Sequence, residues 1–265
     1  QSTLPLPILG AMTLSSPQHL PSARRARTRP SPFVVTRGSH PLDLVDAESR
    51  KVRYLRLSVT DRCQYRCQYC LPETGVRFMP RNQLLTFEEI ERLVRTFISM
   101  GIDRVRLTGG EPTLRRNLVD LVGRLAALPG LNDLAMTTNA ERMVELAKPL
   151  RAAGLRRVNI SLDTLDAERF KTLTRVDRLK QVLEGIDATI AAGFESVKVN
   201  TVVIRGTNDD ELADLVAFSA QRGITQRFIE YMPIGVDGFW TPDTFISVDE
   251  MLEGLRERYV LGEGL

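Results

Sequence analysis

Strand patterns alternate with helix patterns along most of this 265-residue chain, and this alternation limits the fold more than any other feature. From Tyr54 onward, six short β-branched runs are each followed by a helical run, as at 104–108 and 114–128. Repeated strand–helix–strand units give parallel strands with right-handed crossovers. Six units are too few for a closed eight-stranded barrel. The sequence therefore predicts an α/β fold, an open, partial (βα)6 TIM-like barrel with parallel strands, with a flat doubly wound sheet as the alternative.

The composition of the predicted strands favours the barrel. Strands buried on both faces are continuous apolar runs, whereas polar residues occupy every second position here, as in Arg104, Arg106 and Thr108. Side chains two residues apart share one face of a strand. Because crossover helices cover the outside of a barrel, we expect the polar rows to face a lumen that holds ligand and water. A solvent-exposed sheet face is the alternative.

Five of the predicted inward positions are cationic, namely Arg56, Arg104, Arg106, Lys198 and Arg227. Burial of so much positive charge without partners is costly. Arginine forks match phosphate oxygens, and lysine adds a point charge. The pattern predicts a polyanionic ligand such as a nucleoside triphosphate. Ion pairs with Asp163 and Glu230 are the alternative for some of these cations.

The only three cysteines, Cys63, Cys67 and Cys70, follow the first predicted strand. Their C-x3-C-x2-C spacing puts three soft thiolate ligands on one loop. A structural zinc site has four ligands, and a [4Fe–4S] cluster is normally held by four cysteines. The favoured interpretation is a [4Fe–4S] cluster with one open iron, where a substrate or cofactor binds. The alternatives are zinc completed by a carboxylate such as Asp61, and a Cys67–Cys70 redox pair.

Polar motifs stand at the carboxyl ends of several predicted strands. They are TGGEP at 108–112, TTN at 137–139, SLD at 161–163 and YMP at 231–233. Active sites of βα barrels lie at this face, and the cysteine loop opens on it too. The sequence therefore predicts one active site at the rim.

Residues 1–41 are rich in Ser, Pro and Arg and lack periodicity, so we predict a disordered tail. Their composition also suits an organellar transit peptide or an over-long N-terminus. Five arginines and no acid lie in 1–40, which leaves 31 basic and 33 acidic residues, a net charge of −2, in the remainder. This balance argues against a nucleic-acid partner, and no apolar run approaches the ~20 residues that cross a membrane. A cytoplasmic location is predicted, or the mitochondrial matrix if the tail is a transit peptide.

The ordered motifs resemble radical S-adenosylmethionine (radical SAM) enzymes, and among them the GTP 3′,8-cyclase family of molybdenum cofactor biosynthesis. The resemblance runs from about residue 51 to residue 257. It rests on LRLSVTDRC at 55–63, RLTGGEP at 106–112, TTN at 137–139, RVNISLD at 157–163, VKVN at 197–200 and RFIEYM at 227–232.

The resemblance implies a role for each matching position. The [4Fe–4S] cluster is held by Cys63, Cys67 and Cys70, and S-adenosylmethionine chelates its open iron. The S-adenosylmethionine site is lined by Tyr69, Gly110, Ser161 and Met232. The GTP site is lined by Arg56, Arg106, Thr137 and Lys198, and further phosphate partners are Arg104 and Arg227.

The resemblance also implies a reaction and partners. Reductive cleavage of S-adenosylmethionine gives a 5′-deoxyadenosyl radical that abstracts H3′ of GTP, and attack on C8 of guanine then gives 3′,8-cyclo-7,8-dihydro-GTP, a lyase reaction. The electron donor is of flavodoxin or ferredoxin type, and a homodimer is left open.

The sequence departs from the family at two points. It has Asn139-Ala140 where the family usually has Asn-Gly. The family also has a second C-terminal [4Fe–4S] cluster on three further cysteines, and its ligands are absent from these 265 residues. We therefore expect 42–265 to be a truncated radical SAM barrel that does not cyclise GTP by itself. Another radical SAM enzyme, such as a peptide maturase, and a non-catalytic metal-binding module remain as alternatives.

Overall fold

A six-stranded parallel sheet is the centre of the fold in the computed structural model, which describes residues 33–35, 44–235 and 238–262. Two short antiparallel strands come first, β1 (Phe33–Val35) and β2 (Leu44–Asp46). The parallel strands are β3 (Tyr54–Ser58), β4 (Arg104–Thr108), β5 (Asp133–Thr138), β6 (Arg157–Ser161), β7 (Ser196–Val203) and β8 (Thr225–Glu230). They pair in chain order with β3 and β8 at the edges, so the sheet is open. This confirms the predicted fold class.

Seven α-helices occur in the described part of the chain, and each of the five crossovers of the sheet contains at least one. They are α1 (Phe87–Ser99), α2 (Leu118–Ala126), α3 (Met143–Ala152), α4 (Ala167–Thr174), α5 (Leu179–Ala191), α6 (Leu212–Gln221) and α7 (Val248–Arg256). Among the described residues, none of these helices has the length and apolar character to span a bilayer.

The main hydrophobic core lies between the sheet and these helices. Val105 and Leu107 of β4 are fully buried, whereas Arg104 and Arg106 of the same strand retain exposure on the other face. The same alternation occurs along β7. In β4 and β7, the burial of alternate positions agrees with an apolar face that packs on the helices and a polar face on the other side of the sheet.

Local sequence signals fix the start of α1 but not of α2. Thr86 and Glu89 form the predicted capping box, in which the Glu89 N–H donates to Thr86 Oγ1 at 3.2 Å and the Thr86 N–H to Glu89 Oε2 at 2.8 Å. The helix predicted at 114–128 was placed too early. It begins only at Leu118, because a 3₁₀ turn precedes it and Asn117 has a left-handed backbone with φ 59°.

Within the segment 1–41 that is predicted to be disordered, the structure describes Phe33–Val35, which pairs with Leu44–Asp46. This apolar, β-branched run suits a strand, but three residues are too few to show a periodicity. The remainder of 1–41 lies outside the described residues.

Helix α5 packs so closely on the Asn139-Ala140 turn that one position requires glycine. Ala140 has a left-handed φ of 64°, a conformation that costs L-residues roughly 1–2 kcal/mol. A Cβ on Gly185 of α5 would lie 2.0 Å from the Ala140 carbonyl oxygen. The turn after β5 is therefore held by direct helix-to-backbone contact.

We expect Gly185→Ala to lower the free energy of unfolding by roughly 1–3 kcal/mol, because a backbone clash forces the helix away. Gly123, in the middle of α2, has open space around the position that a Cβ would take. Gly123→Ala is the matched control and should raise the free energy of unfolding by roughly 0.5–1 kcal/mol through helix propensity. Urea denaturation of both variants tests this, and a stable Gly185→Ala protein contradicts the contact.

Candidate active site in the barrel lumen

The loop after β3 brings the three cysteines to one cavity of about 200 Å³ at the carboxyl ends of the strands. Backbone bonds anchor the loop to the end of α4. The Arg66 N–H donates to the Thr174 carbonyl at 3.1 Å, and the Gln68 N–H to the Leu173 carbonyl at 2.8 Å. The cavity is also lined by the predicted site residues Tyr69, Gly110, Thr137 and Ser161.

The donor set of this loop fits an iron–sulfur cluster. The Tyr65 N–H donates to Cys63 Sγ at 3.4 Å. Burial raises the pKa of all three thiols, so bound metal is needed to keep them as thiolates near neutral pH. Three thiols line one cavity with no further cysteine or histidine among the described residues that line it, which suits a [4Fe–4S] cluster with one iron left open.

The zinc alternative receives no support from Asp61. Its Oδ2 accepts the Met79 N–H at 2.5 Å, outside the set of residues that line the cysteine cavity. In the part of the chain that the structure describes, no three Cys, His, Asp or Glu side chains are grouped so as to hold a single metal ion.

The Gly109-Gly110 turn after β4 packs on the backbone that enters the cysteine loop. The Gly110 N–H donates to the Thr60 carbonyl at 2.8 Å, and the Glu111 N–H to the Arg62 carbonyl at 2.7 Å. A Cβ on Gly110 would lie 2.3 Å from the Arg62 oxygen. The two glycines therefore let the turn after β4 pack directly on the backbone of the cysteine loop. Gly110 also lines the cysteine cavity.

Glu111 is a site residue that sequence reasoning missed. Its buried carboxylate accepts hydrogen bonds from the hydroxyls of Thr113 (2.6 Å) and Thr138 (2.7 Å) and from the Asn139 N–H (2.7 Å). Burial raises the pKa of Glu111, and the hydrogen bonds oppose this shift. The carboxylate thus fastens the turn after β4 to the turn after β5. The sequence signal that could have identified Glu111 is its place in the Gly-Gly-Glu-Pro motif, directly after a strand of the predicted barrel.

Asp163 orients Tyr69 rather than neutralising a lumen cation. Its Oδ2 accepts the Tyr69 hydroxyl at 2.5 Å, and its Oδ1 accepts the Val202 N–H at 2.9 Å. Burial raises the pKa of Asp163 to about 6. Glu230 accepts the Val248 N–H at 2.8 Å. The alternative that these two acids pair with the inward cations is therefore wrong.

Met232 lies apart from the other residues predicted to line the S-adenosylmethionine site. It lines a second, largely apolar cavity of about 250 Å³ that shares Tyr69 and Cys70 with the first. A Cβ on Gly235 would lie 2.2 Å from the Tyr69 carbonyl oxygen, so the segment after β8 packs directly on the cysteine loop. The predicted set is divided between two adjoining cavities.

Four of the five predicted cations have no carboxylate partner in the part of the chain that the structure describes. Arg56, Arg106, Lys198 and Arg227 are on the polar face of their strands, and none forms an ion pair with a carboxylate among the described residues. Burial, and then the neighbouring cations, lower the pKa of Lys198; burial and the same kind of repulsion lower that of Arg106. Such a cluster fits an anionic ligand.

Polar atoms around these cations also lack partners. The buried Arg106 Nε, the Asn159 side-chain nitrogen and the Asn200 side-chain oxygen have no hydrogen-bond partner within the described residues. Buried polar groups are normally satisfied. The lumen therefore offers both charge and hydrogen bonds to a polar ligand.

Arg104 and Thr137 differ from the other residues predicted for the GTP site. Arg104 begins β4, with its Nε 3.7 Å from the carboxylate of Asp103, which Arg53 also contacts. Thr137 lines the cysteine cavity and is in register with Asn159, which is itself in register with Lys198. Thr137 therefore lies between the cysteine cavity and the cations.

Sequence reasoning also missed Arg157, which is two residues before Asn159 and thus on the same face of β6. Its guanidinium forms an ion pair with the carboxylate of Asp133, which is on the neighbouring strand β5. The two-residue spacing between Arg157 and Asn159, which puts both side chains on one face of the strand, could have identified Arg157 from the sequence.

Comparisons with known proteins agree with this architecture and the cysteine motif. The family model of the radical SAM superfamily matches residues 57–219. The solved structure of native anSMEcpe with bound AdoMet covers 77% of this chain and 59% of its own, with a TM-score of 0.60 and 17% identity, a likeness of fold alone. The chain belongs to the radical SAM superfamily, whose general cofactors are S-adenosylmethionine and a [4Fe–4S] cluster.

Two curated relatives show which family within the superfamily the chain belongs to. A GTP 3′,8-cyclase of Pseudomonas putida (strain W619) is 51% identical over 221 residues, which cover 83% of this chain and 66% of the relative. One of Ectopseudomonas mendocina (strain ymp) is 51% identical over 223 residues, covering 84% and 67%. Within the superfamily, the chain belongs to the GTP 3′,8-cyclase family. It spans about two thirds of the length of these relatives.

Proposed function

We propose that this chain is the radical SAM barrel of a GTP 3′,8-cyclase, the lyase that converts GTP to 3′,8-cyclo-7,8-dihydro-GTP in the first step of molybdenum cofactor biosynthesis. The observation that carries the proposal is the cluster of unpaired lumen cations beside the three-cysteine cavity. Family membership supports the same reaction.

The proposed cofactor site has the cysteine loop at its centre. Cys63, Cys67 and Cys70 would hold a [4Fe–4S] cluster whose open iron binds S-adenosylmethionine. When bound, the two cofactors supply a radical that removes a hydrogen atom from the substrate. The S-adenosylmethionine site would be lined by Tyr69, Gly110, Ser161 and Met232. The second cluster that the family implies has no candidate cysteines in this sequence.

The proposed substrate site lies next to it in the lumen. The phosphates of GTP would be bound by Arg56, Arg106, Lys198 and Arg227. Arg104, at the amino-terminal end of the sheet, is the further phosphate partner that the resemblance implies. Thr137 would contact the nucleoside, because it lies between the cations and the cysteine cavity. A flavodoxin- or ferredoxin-type electron donor, which the family resemblance implies, and the cytoplasmic location predicted from the sequence also belong to the proposal.

A peptide maturase is the second candidate within the same superfamily. A peptide substrate needs no phosphate-binding cations, and four lumen cations have no counter-charge within the described ranges. The unpaired cations therefore favour GTP.

The experiment is anaerobic reconstitution with iron and sulfide, followed by dithionite, S-adenosylmethionine and GTP deuterated at C3′. We expect a brown protein with about four irons, and deuterium in the 5′-deoxyadenosine that is formed. A colourless protein with stoichiometric zinc contradicts the cluster. Cleavage of S-adenosylmethionine without deuterium transfer contradicts the proposed GTP site, whereas deuterium transfer without a cyclic product is the result expected of a chain that does not cyclise GTP by itself.

A further inference from the structure

An ion pair between the first residues of β5 and β6, at the amino-terminal end of the sheet, leaves three donors of an arginine without a protein partner in the described part of the chain. Arg157 Nε donates to Asp133 Oδ1 at 2.8 Å, and its Nη2 contacts Oδ2. A guanidinium has five N–H donors in a fixed fork, so this pairing occupies two of them. The other three have no acceptor among the described residues, and the Arg157 side chain is only 30% exposed.

Strand register puts Arg157 level with the proposed phosphate-binding residues. Arg56 is in register with Arg106, Arg106 with Ala135, and Ala135 with Arg157. Three arginines thus share one row across four strands, with alanine as the small residue between two of them.

The charge of Arg157 acts on the same space. After burial, the strongest influence that lowers the pKa of Arg106 is Arg157, ahead of Arg56 on the adjacent strand. Arg157 also lowers the pKa of Lys198. These electrostatic effects agree with the register and place Arg157 at the border of the cationic cluster.

We propose that Arg157 is a further specificity-determining residue that contacts the phosphate chain of a nucleoside triphosphate, and that Asp133 is the positioning residue that fixes its guanidinium. This inference rests on the proposed function and deepens it. Because Asp133 largely cancels the charge of Arg157, the contribution of the pair is directional hydrogen bonding more than attraction. A hydrogen bond from Arg157 to the phosphate chain should strengthen the binding of a triphosphate more than that of a monophosphate.

The test compares the affinities of GTP and GMP by anaerobic equilibrium dialysis. We expect Arg157→Gln to reduce the ratio of GTP to GMP affinity about tenfold, the loss typical of one charge-assisted contact. The paired variant with Arg157→Gln and Asp133→Asn removes the unpaired carboxylate and should show the same loss. Asp133→Asn alone should reduce the ratio less, because the arginine remains but is no longer held.

Arg156→Gln is the matched control. Arg156 is the adjacent residue, lines the same amino-terminal pocket as Arg157, and pairs with Glu195 at 2.9 Å. Its substitution should leave the ratio unchanged, and S-adenosylmethionine affinity should be constant in all variants. A wild-type ratio in the two Arg157 variants would overturn the inference and make the pair structural. A wild-type protein that binds no GTP would overturn the proposed function itself, and this inference with it.

Discussion

Replacing any one of Cys63, Cys67 and Cys70 with alanine will leave the protein unable to hold a [4Fe–4S] cluster after anaerobic reconstitution. All three thiols line one cavity, and the sequence has no other cysteine to substitute for a lost ligand. Iron content should fall from about four per chain to near zero. The visible absorbance and the formation of 5′-deoxyadenosine should disappear together.

Gln68→Ala is the control for this result. Gln68 lies in the same loop, and it anchors the loop through its backbone N–H, which the substitution leaves intact. This variant should keep its iron. A triple cysteine-to-alanine variant that still bound about four irons would rule out the cluster site.

Loss of the lumen cations should affect the two ligands unequally. We expect Arg56→Ala, Arg106→Ala and Lys198→Ala each to weaken GTP binding by about tenfold or more, since each removes a charge-assisted contact of roughly 1.5–3 kcal/mol. S-adenosylmethionine affinity should change little, because these residues do not line the cysteine cavity. Anaerobic equilibrium dialysis with each ligand measures both effects.

Arg95→Ala is the control for a general loss of positive charge. Arg95 pairs with Glu91 on the exposed side of α1 at 2.7 Å. GTP binding should be unchanged in this variant. Equal losses for GTP and S-adenosylmethionine in the three lumen variants, or none, would mean that the cationic row is structural.

The sequence predicted the barrel because its signals are local. Period-two alternation in β4 and β7 fixes which face of each strand is polar, and the Thr86 capping box fixes the start of α1. The three cysteines are adjacent in sequence, so their shared cavity follows from one loop.

Contacts between distant segments could not be predicted in the same way. Glu111 bonds to Asn139, and Tyr69 to Asp163, only because the turns that follow neighbouring strands meet at one rim. Alternation gives the face of a side chain but not its partner. Arg104 therefore appeared equivalent to Arg106, although Asp103 provides it with a counter-charge at the amino-terminal end of the sheet.

The central claim is that one lumen holds two ligands side by side, S-adenosylmethionine at the cysteine loop and GTP at the cations. Anaerobic equilibrium dialysis of the reconstituted protein with both labelled ligands together tests it most directly. The account predicts one molecule of each ligand bound per chain, with neither displacing the other. Mutual displacement, or S-adenosylmethionine binding without any GTP, would contradict it.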